Sequence, residues 1–145
     1  MIISEKLPSR LEIIPEFIQT FMEKIKHLLL EEGDIFNIKL SLEEALVNAI
    51  KHGNKLHPNL SVEVNIEIQD DRLMIEVVDQ GEGFDFKSIP DPTNEENLKK
   101  LSGRGIFLIR KLMDKVDFFD CGRRIKMIKF LKKGVNSEYK RRKTQ

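Results

Sequence analysis

SLEEALVNAIKHGN, residues 41–54, is the stretch from which the rest of the chain is best read. Wound at about 100° per residue, it puts Leu42, Ala45, Leu46, Ala49 and Ile50 on one apolar arc. Ser41, Glu44, Asn48, Lys51 and His52 fall on the opposite side, with Glu44 and Asn48 one turn apart. An exposed helix usually fills its outer face with Lys, Glu and Arg. A carboxylate, a carboxamide and an imidazole in one column, ending at His-Gly-Asn, is a different inventory. Glu44 can take a proton, and the Asn48 carbonyl is a hard oxygen donor suited to Mg²⁺. Taken alone, the column fits a solvated helix face as well as it fits a site.

Upstream, Ile2, Ile3 and Leu7 predict a short strand within residues 1–8. Ile14, Phe17, Ile18, Phe21, Met22, Ile25, Leu28 and Leu29 then form a helical stripe ending near Gly33, with Pro15 in its first turn. That stripe reads as core. Asp34 is the expected N-cap of the following helix, which carries the opening stretch.

Downstream the period changes to two. Val62, Val64, Ile66 and Ile68 alternate with Glu63, Asn65, Glu67 and Gln69, which predicts a half-buried strand. Asp70-Asp71-Arg72 is a turn, and Leu73 to Val78 a second strand, antiparallel to the first. It runs directly into Asp79-Gln80-Gly81-Glu82-Gly83-Phe84. Residues 84–102 have no sustained period and contain Pro90 and Pro92, so they read as a long loop suited to covering a ligand. Gly103-Arg104-Gly105 opens a helix with Ile106, Ile109, Leu112, Met113 and Val116 inward. Val116–Asp120 and Ile125–Leu131 then close the fold as two strands around a Cys121-Gly122 turn. The order β-α-α-β-β-α-β-β predicts an α+β, two-layer sandwich, with helices covering one face of a mostly antiparallel sheet.

Residues 1–133 are expected to form one domain. Residues 134–145, with Lys140-Arg141-Arg142-Lys143, read as a frayed basic tail. Lys plus Arg total 25 against 24 for Asp plus Glu, so bulk charge directs nothing toward nucleic acid. The single cysteine, Cys121, excludes an internal disulfide and a Cys-based zinc cluster. With no secretory leader pattern and no long apolar run, a cytoplasmic protein without membrane contact is expected.

Three short signals now lie in order: Glu44-x-x-x-Asn48, Asp79-x-Gly81-x-Gly83, and Gly103-x-Gly105 at a helix start. Glycines before a helix N-terminus offer free N–H groups and a positive dipole end, which favours phosphate. Competing motifs fail. No G-x-x-x-x-G-K-[ST] is present, and Phe86 and Leu108 occupy the third-glycine positions that a Rossmann or protein-kinase glycine loop requires.

These residues resemble the GHKL (Bergerat-fold) ATPases, with an N box (EALVNAIKHGN), a G1 box (DQGEGF) and a G2 box (GRGIFLI). Within that superfamily the chain is most similar to the bacterial anti-sigma-factor serine/threonine kinases of the RsbW and SpoIIAB type, through His52-Gly53 after the N box and SGRGIFLIRKLMDKV from Ser102 to Val116. The resemblance implies ATP and Mg²⁺ as cofactors, with Asn48 as the Mg²⁺ ligand and Glu44 as general base on a substrate hydroxyl. It implies that Asp79 bonds the adenine amine, with Gly81 and Gly83 passing close to the base. Gly103, Arg104, Gly105 and Ile106 would wrap the nucleotide, with His52 and Lys51 near its phosphate end. The implied partners are a sigma factor or similar regulator, an anti-sigma antagonist as phosphoacceptor, and a second copy in a homodimer. Leu101 stands where sporulation-type kinases carry an arginine, with Lys100 and Arg104 nearby. That leaves open an ATP-binding partner-switching module with little or no kinase activity.

Overall fold

The computed structural model describes residues 1–83 and 101–132. Strand β1 (Ile2–Pro8) leads into helix α1 (Ile13–Ile25), and helix α2 (Glu32–Val47) follows. Strands β2 (Ser61–Ile68) and β3 (Arg72–Val78) form a hairpin. Helix α3 (Leu101–Leu112) precedes strands β4 (Lys115–Phe119) and β5 (Arg124–Phe130). The sheet order is β1-β2-β3-β5-β4, and every neighbouring pair is antiparallel. This is the α+β arrangement expected from the element order.

The period-two pattern explains why, among the described residues, one sheet face is buried and the other is more open. Register pairs Val64 with Val77, Ile66 with Ile75 and Ile68 with Leu73, and all six side chains are buried. Their neighbours Glu63, Asn65, Glu67 and Glu76 point to the other face. Above the buried face lie Phe17, Ile18, Phe21 and Ile25 of α1, Ile38, Leu42 and Leu46 of α2, and Ile109 of α3. Burial of these apolar side chains, at roughly 1.5–3 kcal/mol each for the larger ones, holds the two layers together.

Local features depart from the sequence expectation. The first helix stops at Ile25 rather than near Gly33, giving way to a 3-10 turn at Lys26–Leu28. Leu29 then takes a left-handed conformation at φ 54°, while Leu28 remains in the core. Asp34 is not the N-cap of α2; Glu31 holds that position. Instead the buried Asp34 carboxylate accepts the Lys132 N–H at 3.0 Å, tying the start of α2 to the chain just past β5. Ser41, assigned to the polar side, is 0% exposed. Helix α2 packs against α1, α3 and the sheet, so Ser41 is buried and Glu44 and Asn48 are half-buried, while Lys51 and His52 remain exposed. The long-loop reading of residues 84–102 lies outside the described residues except at 101–102, which instead open a helix, α3; the tail reading of 134–145 lies wholly outside them.

Candidate functional site

The site begins where α2 changes pitch. The Asn48 N–H is shared between the carbonyls of Glu44 and Ala45, and the next residues, Asn48–Gly53, form a π-turn. The Asn54 N–H closes it on the Ala49 carbonyl at 2.8 Å. Such widened turns concentrate at functional sites, because they re-aim side chains that a regular helix would stack. Asn48 and His52 both line a cavity of about 230 Å³ between this turn, the sheet and α3.

Ala45, Ala49, Val77, Ile106, Phe118 and Ile125 give that cavity mostly apolar walls. Asp79, which follows β3 and is 9% exposed, brings a carboxylate into it. Its N–H bonds the Arg123 carbonyl at 2.9 Å, continuing the β3–β5 ladder. Its Oδ1 accepts the Gly81 N–H at 2.8 Å. Burial raises the pKa of this carboxyl, opposed by the Gly81 hydrogen bond and by the positive charge of Arg123. Two glycines allow the turn to close on the helix end. A Cβ on Gly53 would stand 2.5 Å from Asp79 Cγ and Oδ2, and one on Gly81 would run into the Gly53 carbonyl.

A second, more polar cavity of about 430 Å³ shares Asn48 and His52 with the first and adds Glu44, Lys51, Arg104 and Gly105. Burial raises the Glu44 pKa; Arg104 pulls it down and Glu43 pushes it up. His52 is shifted the other way, chiefly by burial and then by Lys51. Helix α3 reaches the α2 column through Gly105, where a Cβ would lie 2.9 Å from Glu44 Oε2 and 3.5 Å from Asn48 Oδ1.

The structure thus brings Glu44, Asn48, His52, Asp79, Gly83, Ile106, Arg104 and Gly105 to two adjoining cavities. Gly81 supports them through its bond to Asp79. Gly103 falls in the opening turn of α3. Phe118 and Arg123 line the apolar cavity but were not legible as site residues. Arg123 also donates to the Gly81 carbonyl at 3.3 Å. Only the pairing of Val78 with Arg124 carries Arg123 to the Asp79 turn, and local spacing holds no trace of that pairing.

Chemically, the first cavity suits a flat apolar ring that donates a hydrogen bond to a buried carboxylate. The second suits a polyanion, with two cations, an amide oxygen and a carboxylate of raised proton affinity. Among the described residues no cluster of three or more His, Cys, Asp or Glu side chains forms a metal cage. The donor set instead fits Mg²⁺ held by one side-chain oxygen together with phosphate oxygens, the usual environment of that ion.

Residues 7–129 match the family described as histidine kinase-like ATPase domain. The serine-protein kinase RsbW of Staphylococcus epidermidis is 42% identical over 108 residues, spanning 69% of this chain and 68% of the relative. The serine-protein kinase RsbW of Staphylococcus aureus strain JH9 is 37% identical over 109 residues, with the same coverage. An apolar slot closed by a carboxylate, a polar cavity beside it, and these matches give one conclusion: the chain belongs to the histidine kinase-like ATPase domain family, in its branch of RsbW serine-protein kinases.

Proposed function

We propose that this chain is an ATP-dependent serine/threonine protein kinase acting as an anti-sigma regulatory factor in the cytoplasm. It would bind a sigma factor or similar regulator and phosphorylate an anti-sigma antagonist, working as a homodimer. The observation that carries the reading is the meeting of Glu44, Asn48 and Gly105 at one end of an apolar slot whose other end holds Asp79.

In this reading adenine enters the slot and its exocyclic amine donates to Asp79 Oδ2, since Oδ1 already accepts from Gly81. Losing such a partner costs roughly 1–3 kcal/mol, enough to select adenine. Asn48 would hold Mg²⁺ through its side-chain oxygen, and the ion would supply neutralisation of the phosphate charge. Lys51 and Arg104 draw the phosphates to the polar cavity. Glu44 takes the proton of the acceptor hydroxyl as that oxygen bonds to the γ-phosphorus. The bond from the γ-phosphorus to the bridging oxygen breaks, and ADP leaves. A carboxylate with raised proton affinity suits this task better than an ordinary surface glutamate.

Incubation with γ-labelled Mg-ATP and a candidate antagonist protein from a neighbouring gene tests the proposal. Label on an antagonist serine or threonine that disappears in Glu44→Ala is the expected result. Tight ATP binding without transfer to the antagonist would replace the kinase by a nucleotide-set binding switch.

A further inference from the structure

Behind the slot, and outside both cavities, lies a buried carboxamide that is 2% exposed: Asn54. Its Oδ1 accepts the Gln80 N–H at 2.8 Å. Its Nδ2 donates to Ser9 Oγ and to the Ser61 carbonyl, each at 2.9 Å. Ser9 Oγ in turn donates a hydrogen bond to the Leu60 carbonyl at 2.7 Å, and Gln80 Oε1 accepts the Ser61 N–H at 2.7 Å. One side chain therefore ties the end of the π-turn to the chain just past β1, to the start of β2 and to the turn after β3. Three of its four hydrogen-bonding positions are used: both amide protons and one of the two lone pairs of Oδ1. Only a carboxamide offers that combination. An aspartate would set a second acceptor against the Ser61 carbonyl, and an apolar residue would forfeit all three bonds, the one to the buried Ser9 included.

The bond to Gln80 falls between the two residues that matter most for the slot. Gln80 follows Asp79, whose carboxylate enters the cavity, and precedes Gly81, whose N–H engages that carboxylate. The same Asn54 closes the turn that begins with Asn48. We propose that Asn54 is a positioning residue for nucleotide recognition: it fixes the Asp79 turn relative to the π-turn and so sets selectivity for a purine bearing an exocyclic amine. This rests on the reading of Asp79 given above and adds a residue that never touches the ligand.

The test compares three ligands by equilibrium titration with Mg²⁺: ATP, purine riboside triphosphate (ATP lacking the 6-amino group) and inorganic triphosphate. Wild type is expected to prefer ATP over the amine-less analogue by about tenfold or more. In Asn54→Ala the preference is expected to shrink to within about twofold, with triphosphate affinity unchanged, because a misplaced carboxylate forfeits its hydrogen bond only to the amine. General destabilisation would weaken all three ligands together and leave the preference intact; that result overturns the proposal. Should Asn54→Ala fail to fold, Ser9→Ala decides. It removes one anchor of the carboxamide and is expected to lower the preference while keeping the fold; an unchanged preference overturns the proposal. If wild type itself shows no preference for ATP over the analogue, the Asp79 reading fails first and takes this proposal with it.

Discussion

Gly105 of α3 stands directly against the Glu44 carboxylate of α2: a methyl group on the glycine would come within 2.9 Å of Glu44 Oε2 and 3.2 Å of Asn48 Nδ2. Two segments about 60 residues apart in the chain are thereby brought to one point, and the space between them is one missing side chain wide.

Gly105→Ala separates stability from activity. Alanine is the better helix former by about 1 kcal/mol, and the atom in its way is the free end of a flexible side chain. The melting temperature should therefore hold or rise. Glu44 must swing aside, and phosphotransfer should fall by about tenfold or more, since a small misplacement of a reacting group is costly. A thermal melt and a transfer assay on one preparation check both halves.

Gly53→Ala acts on the other end of the slot. Its Cβ would meet Asp79 Cγ and Oδ2 at 2.5 Å, and that carboxylate is held by the Gly81 N–H. Displacement of Asp79 should weaken ATP binding by about tenfold, measured by titration. Unchanged affinity would mean that the carboxylate contributes nothing to the base.

The pH profile of transfer should report Glu44. Burial lifts its pKa above that of an ordinary glutamate, and a general base works only when ionised. The rate should therefore rise with pH through an acidic limb displaced upward from the usual carboxylate range. Arg104 lowers this pKa and Glu43 raises it. Normalised profiles should shift to higher pH in Arg104→Gln and to lower pH in Glu43→Gln. Limbs that stay fixed in both variants would assign the ionisation to another group.

Asp79 should cost the ligand-free fold stability. Its pKa is raised in the folded state by burial, so the unfolded chain releases this proton more readily than the folded one. The cost is therefore present at neutral pH and relieved as pH falls through the folded-state value. Asp79→Asn keeps an oxygen for the Gly81 N–H and removes the buried charge. Without nucleotide it should melt above wild type at neutral pH, the gap closing on acidification. Melts across that range check the sign.

Much of the fold was legible because it rests on periodicity. The alternation from Val62 to Ile68 gave one buried sheet face, and the stripe from Ile14 to Ile25 gave α1. Leu28 and Leu29 continued that stripe on paper, yet the backbone breaks there, and a break with apolar residues on both sides leaves no mark on the period. The candidate site was legible where unusual residues stand in short range, as at Glu44, Asn48 and Asp79, which line the two cavities. It was not legible where tertiary pairing supplies it. Arg123 reaches the Asp79 turn through the β3–β5 register, and Asn54 through bonds to residues as far away as Ser9. Ser41 misled because a helix packed against two others and a sheet has little outer face left for its polar residues.

In the proposed function an adenine nucleotide lies between α2 and the Asp79 turn, with its base at that carboxylate. Calorimetric titration of Mg-ATP into wild type and Asp79→Asn tests it most directly. The expected result is one-to-one binding by wild type and an affinity lower by about tenfold or more in the folded variant. Equal affinity in the two proteins, or no binding by wild type, would contradict it.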